Sequence, residues 1–122
     1  MKDYDDHTHR TGASLVLKPR EAGLGFDSLV RNLRILEEAS IKLGAWLDYN
    51  ETMIKDMRVD ACLVLEYERT KRPGLRRDKS YRYFRDDEHA EKVLAGKVQQ
   101  IAGYADHLGF DVIVGATYHE EL

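Results

Sequence analysis

Cysteine, proline and long apolar runs are all scarce in this chain. One cysteine in 122 residues leaves Cys62 without a partner for an internal disulfide. Its apolar neighbours predict a buried, inert thiol, and a reducing compartment fits that usage. The longest apolar run, Ala61 to Leu65, is far shorter than the ~18 residues a helix needs to span a bilayer. No membrane segment is therefore expected. Met1 to Arg10 is polar and acidic and lacks the apolar stretch of a signal peptide, so a soluble, cytoplasmic protein is expected. His89, His107 and His119 are scattered and form no HExxH pattern and no i, i+4 pair, and neither His89 nor His107 has a sequence-adjacent nucleophile. Gly23-Leu24-Gly25 lacks the third glycine and the lysine of a phosphate-cradling loop. A formal net charge of −3 is too small to draw nucleic acid or an anionic membrane to the chain as a whole.

What is present is a composition that folds. With 43% apolar and 34% charged residues, a chain of this length can bury a core and solvate its surface, and one domain is the expectation. Residues 1–12, with Asp3, Asp5, Asp6, His7 and His9 and no apolar periodicity, are read as a flexible tail, leaving 13–122 as the domain. Ala13 to Leu17, closed by Pro19, is a predicted strand. Phe26 to Leu47 carries apolar residues at three- and four-residue steps and predicts a long helix capped by Asp27 or Ser28, with a short second helical piece through Met53, Ile54 and Met57. Val59 to Glu68 is aliphatic on both parities and predicts a central strand. Asp86 or Asp87 caps a second long helix whose stripe Leu94, Val98, Ile101, Ala105 and Leu108 steps by four and three, and Gly109 is placed to end it. Val112-Ile113-Val114 predicts a buried last strand, with a frayed tail from His119. This order predicts an α+β fold of the ferredoxin-like kind, a split βαβ in which two long helices cover one face of an antiparallel sheet. The other face would serve as a ligand platform or a dimer interface if it carried Tyr67, Tyr81 or Tyr118, and a homo-oligomer is expected.

Charge is distributed unevenly. From Arg69 to Arg85 there are eight Lys/Arg against the single acid Asp78, so the rest of the chain is clearly acidic. Guanidinium groups pair bidentately with phosphate and tyrosine rings stack on bases. Arg69, Lys71, Arg72, Arg76, Arg77, Arg82 and Arg85 are thus the candidate phosphate ligands, with Tyr81 and Tyr83 as stacking rings. Pro73-Gly74 predicts a turn and Ser80 to Arg85 a returning edge strand, so the whole reads as a basic-aromatic hairpin. The expected partner is nucleic acid or a nucleotide; no cofactor is identified. The same segment could instead serve assembly, by neutralising acidic helices of the same or a neighbouring subunit.

Asp60, Glu66 and Glu68 share strand parity and are followed by Lys71. Two or three carboxylates around Mg²⁺ with a lysine is the equipment of a metal-dependent phosphodiesterase. Val64-Leu65-Glu66-Tyr67-Glu68-Arg69-Thr70-Lys71 loosely resembles the acidic strand of PD-(D/E)xK nucleases, and that resemblance implies metal-dependent cleavage of nucleic acid. Asp60 and Glu66 lie about 20 Å apart along an extended strand, at ~3.3 Å per residue, so only Glu66 and Glu68 are near neighbours. Glu38 to Ala45 is similar to a helical segment of archaeal dihydroneopterin aldolases, a match of one amphipathic stretch that implies no residue role. His7 and His9, two residues apart, would need a third ligand to hold a metal.

Overall fold

The structure, a computed structural model, describes residues 4–21, 25–50, 54–55, 57–71 and 82–122. Strand β1 (Tyr4–Pro19) begins at Tyr4 rather than Ala13, so most of the segment read as a tail belongs to the sheet. His9 and Thr11 continue inward the row set by Ala13, Leu15 and Leu17, and all five are buried. The period-2 pattern is intact there, but it is carried by polar residues that hydropathy does not register.

Helix α1 (Phe26–Lys42) buries Leu29, Leu33, Leu36 and Ser40. It is capped by Gly25 without a side-chain bond, not by Asp27 or Ser28. Gly44 ends it in the left-handed region, at φ +79°, while the backbone N–H groups of Gly44 and Ala45 fold back onto the carbonyls of Ile41 and Ser40. Such a left-handed exit redirects the chain. Trp46, Leu47 and Asp48 consequently form strand β2 (Trp46–Asp48), where a continued helix was expected. Strand β3 (Ile54–Lys55) replaces the expected second helical piece at its described positions and reverses through Met57, at φ 59°.

Strand β4 (Arg58–Thr70) is central, hydrogen-bonded to β1 on one side and to β2 and β3 on the other. Strand β5 (Tyr83–Phe84) pairs with its end in the parallel sense, Glu68 opposite Tyr83 and Arg69 opposite Phe84. A hairpin would have returned antiparallel, so the hairpin reading of the basic segment is corrected. Helix α2 (Asp87–His107) is capped by the Asp86 carboxylate, which accepts from the His89 N–H at 2.8 Å. Gly109, at φ +84°, closes it. Strand β6 (Phe110–Glu121) follows and includes the residues read as a frayed tail.

The chain is α+β, with the antiparallel order β2-β4-β1-β6. Leu15 and Leu17 of β1, Val59, Leu63, Leu65 and Tyr67 of β4, and the buried stripes of both helices form one core. Each fully buried aliphatic side chain there is worth about 1.5–3 kcal/mol relative to exposure. The opposite face carries no helix among the described residues. β6 is an edge, with Ile113 and Val114 55% and 51% exposed, which corrects the expectation of a buried strand.

Candidate functional site

At the end of the sheet where β4 finishes, α2 starts and β1 and β6 run side by side, polar residues replace the aliphatic core. Tyr67, 1% exposed, donates its hydroxyl to Asp87 Oδ1 at 2.7 Å. The Tyr67 hydroxyl oxygen lies 2.8 Å from Thr11 Oγ1, which lies 2.9 Å from His119 Nδ1. Across the ring, His119 Nε2 is 3.3 Å from Glu91 Oε2. Donor accounting orients the whole chain. Since the Asp87 carboxylate accepts from Tyr67, Tyr67 accepts from Thr11, and Thr11 in turn accepts from His119 Nδ1–H. The contact with Glu91 is then satisfied when Nε2 is protonated as well. Burial, with help from Asp87, holds the Tyr67 hydroxyl well above its ordinary range. Four elements are thereby joined by one string of hydrogen bonds.

Rings pack behind that string. His9 stacks on Tyr67 at 5.7 Å between centroids, Tyr67 meets Phe84 edge-on at 5.4 Å, and Phe84 meets His89 at 5.0 Å. Three of the scattered histidines thus gather in one corner, an arrangement that spacing along the chain did not signal. Thr11, His119 and Glu91 are ordered like a nucleophile, a base and its orienting acid, but His119 Nδ1 already carries the proton it donates to Thr11 and cannot take one from it. Thr11 also has no exposed surface and shares its oxygen with Tyr67, so no substrate can reach it.

The predicted ligand residues divide around this corner. Arg69 donates from Nε to His9 Nε2 at 3.1 Å. Arg82 lies over Gly44, where any side chain would collide with its guanidinium, beside the carboxyl end of α1 that Lys97 caps through the Leu43 carbonyl. Burial and the Arg82 charge lower the pKa of Lys97. Tyr83 is half-buried in β5, whereas Lys71 and Arg85 are exposed. Arg72, Arg76, Arg77 and Tyr81 lie outside the described residues. The flanks of the basic segment are pinned together, because Glu68 N–H donates to the Arg82 carbonyl at 2.8 Å.

The open face has a different chemistry. Trp46, Val64, Gly12 and Tyr118 lie opposite one another in a row across four strands. The Tyr118 ring covers Gly12 closely enough that a Cβ there would enter the ring, so this position requires glycine. Arg10 stands 5.5 Å over the Trp46 ring and bonds Glu66 at 2.7 Å. Asp60 pairs with Arg58. Cys62, expected to be buried, is half-buried beside Tyr118. Burial raises its thiol pKa, which keeps it protonated and a poor nucleophile. Of the expected platform tyrosines, Tyr118 is on this face, Tyr67 is in the core beneath the helices, and Tyr81 is outside the described residues. Among the described residues no group of three or more His, Cys, Asp and Glu side chains is arranged to hold a metal ion, and no helix is long and apolar enough to cross a membrane.

No protein-family model matches the chain, and no curated protein matches its sequence. Among solved structures it is similar to an amidase of the hydantoinase/carbamoylase family from Burkholderia vietnamiensis, at a TM-score of 0.46 and 11% identity. That alignment covers 94% of this chain and 29% of the amidase.

Proposed function

We propose that this is a small binding protein which recognises a phosphate-bearing ligand, nucleic acid or a nucleotide, through the basic segment Arg69–Arg85. The observation that carries this reading is the pinning of the segment's flanks by the Glu68–Arg82 backbone bond. It holds Lys71 and Arg85 at one end of the sheet, where cations concentrate. Two nearby acids are engaged elsewhere: Asp86 caps α2 and Asp87 accepts from Tyr67. The open sheet face is the weaker candidate despite Trp46 and Tyr118, since Asp48, Asp60, Glu66 and Glu120 on it would repel phosphate.

The antiparallel order β2-β4-β1-β6, with α1 leading from β1 to β2 and α2 from β4 to β6, supports the split βαβ, ferredoxin-like arrangement. A cytoplasmic protein without a membrane partner fits the lone cysteine. A homo-oligomer fits the apolar side chains left exposed on β6.

The test is a titration of fluorescent single-stranded and duplex DNA and RNA at two salt concentrations, repeated with Arg72, Arg76 and Arg77 changed to Glu. Salt-sensitive binding that the variant abolishes is expected, with a slope of about 0.7–0.9 per phosphate contacted. Absence of binding by the unaltered protein, to these polymers and to nucleotides alike, refutes the reading. Mg²⁺-dependent cleavage lost in Glu66→Gln or Glu68→Gln would convert it into the phosphodiesterase alternative.

A further inference from the structure

Strand β6 combines three features that one event would remove together. Among the described residues it pairs with β1 alone, so the outer N–H and C=O groups of a 12-residue strand have no ladder partner. From Val112 to Tyr118 it bears no charge, yet it exposes apolar side chains on both faces: Ile113 (55%) and Tyr118 (39%) toward the open side, Val114 (51%) toward the helices. Beside it a cleft of about 280 Å³ opens between α2 and β6, lined by Leu94, Ala95, Val98, Val114 and Thr117, with Glu91 at its margin.

The occupant that fits is a second copy of this chain, and the register argues for it. Val112 and Val114 face the helices opposite Leu17 and Leu15, whereas beyond an irregularity Thr117 and His119 face them opposite Ala13 and Thr11. The bulge thus switches parity within the strand, from even residues inward to odd residues inward. An ordinary bulge disrupts edge pairing. A two-fold axis passing between Gly115 and Ala116 instead superimposes the two bulges and keeps every side chain on its own face. In that register Ile113 meets the copy's Tyr118, Val114 meets its Thr117, and Val112 meets its His119. An aromatic against a β-branched side chain is a favourable cross-strand pair. The like charges brought together, Asp111 and the copy's Glu120, are each already paired, with Arg20 and Arg10. Extending the sheet past Val114 and Thr117 also lengthens the floor of the cleft.

We infer that the chain forms a two-fold dimer by antiparallel pairing of β6 with β6, centred on the Gly115–Ala116 bulge, which continues the sheet from one copy into the next. This gives a surface to the homo-oligomer part of the proposed function and rests on that part alone; it is independent of the basic segment.

Sedimentation velocity of the whole chain across a concentration series, with amide hydrogen exchange of β6 at low and high concentration, tests it. Ile113→Lys and Val114→Lys alter exposed side chains on the two faces, so each is expected to keep the far-UV circular dichroism of the parent. The expected result is a reversible dimer whose β6 amides gain protection with concentration. Both variants should sediment as monomers where the parent is dimeric. A dimer that persists in both variants with β6 amides unprotected overturns this surface and leaves the homo-oligomer reading standing. A monomer at every concentration overturns both.

Discussion

Strands β4 and β6 each carry a continuous apolar run, Ala61 to Leu65 and Val112 to Val114, and their positions in the sheet are opposite. β4 is flanked on both sides; the helices cover Val59, Leu63 and Leu65, and Val64, between Trp46 and Gly12 on the open face, is closed off as well, so all four are at most 1% exposed. Among the described residues β6 has a neighbour on one side only, and it leaves Ile113 and Val114 about half exposed. An apolar run therefore states what a strand can bury, and its place in the sheet states what it does bury. The surplus on β6 is what directs attention to a partner.

The contrast is broken most strongly in β4. Leu63→Ala should destabilise the protein by about 2–5 kcal/mol, the range for emptying a filled core site. Ile113→Ala, measured by the same urea denaturation at a concentration where the chain is monomeric, should stay within about 0.5 kcal/mol. Equal effects at the two sites would mean that β6 is covered in the monomer.

Next in size are the polar end of β4 and its neighbours. Tyr67→Phe keeps the ring against His9 and Phe84 but leaves the Asp87 carboxylate and the Thr11 hydroxyl without their shared partner. A loss of about 1–3 kcal/mol is expected. A double-mutant cycle with Asp87→Asn should then show that the two changes are not additive.

On the open face, Gly12→Ala must push the Tyr118 ring off the sheet, at about 1–3 kcal/mol for an overpacked contact. The penalty should largely vanish when Gly12→Ala is made in a Tyr118→Ala background, since the atoms nearest to the added Cβ belong to that ring. A penalty that persists there would show that the backbone, rather than Tyr118, demands glycine at this position.

The smallest effect expected is on pH dependence. Burial first, and then the hydrogen bond with Cys62, push the Tyr118 phenol up to about 12 from an ordinary value of 10.0. The folded state thus holds this proton more tightly than the unfolded chain does. The resulting stability is present below about pH 10 and is lost as pH rises from there toward about 12. Absorbance titration of the phenolates should show a late-ionising tyrosine that disappears in Tyr118→Phe. A profile unchanged by that substitution would contradict the assignment.

Much of this architecture is legible in the chain, because local rules govern it. The α2 stripe from Leu94 to Ala105, its Asp86 cap and its Gly109 exit follow from helical spacing and terminal chemistry. The central position of β4 follows from an aliphatic run bounded by charge. The basic segment is equally a property of the sequence. Its described cations are nevertheless distributed by the fold to different tasks, Arg69 to His9, Arg82 to the end of α1, and Lys71 and Arg85 to solvent.

The rest depends on where residues distant in sequence meet. Thr11, Tyr67, Asp87, Glu91 and His119 come from four elements, and no spacing between them encodes one hydrogen-bonded string. Whether His9 is a tail residue or a core residue depends on β4 and β6 lying alongside it. Trp46 enters a strand because Gly44 turns the chain toward the open edge of β4. Amphipathic period and capping act over a few residues and so can be read in order along the chain. Sheet order, edge position and buried polar pairing depend on long-range contacts whose partners appear only once the chain has closed on itself.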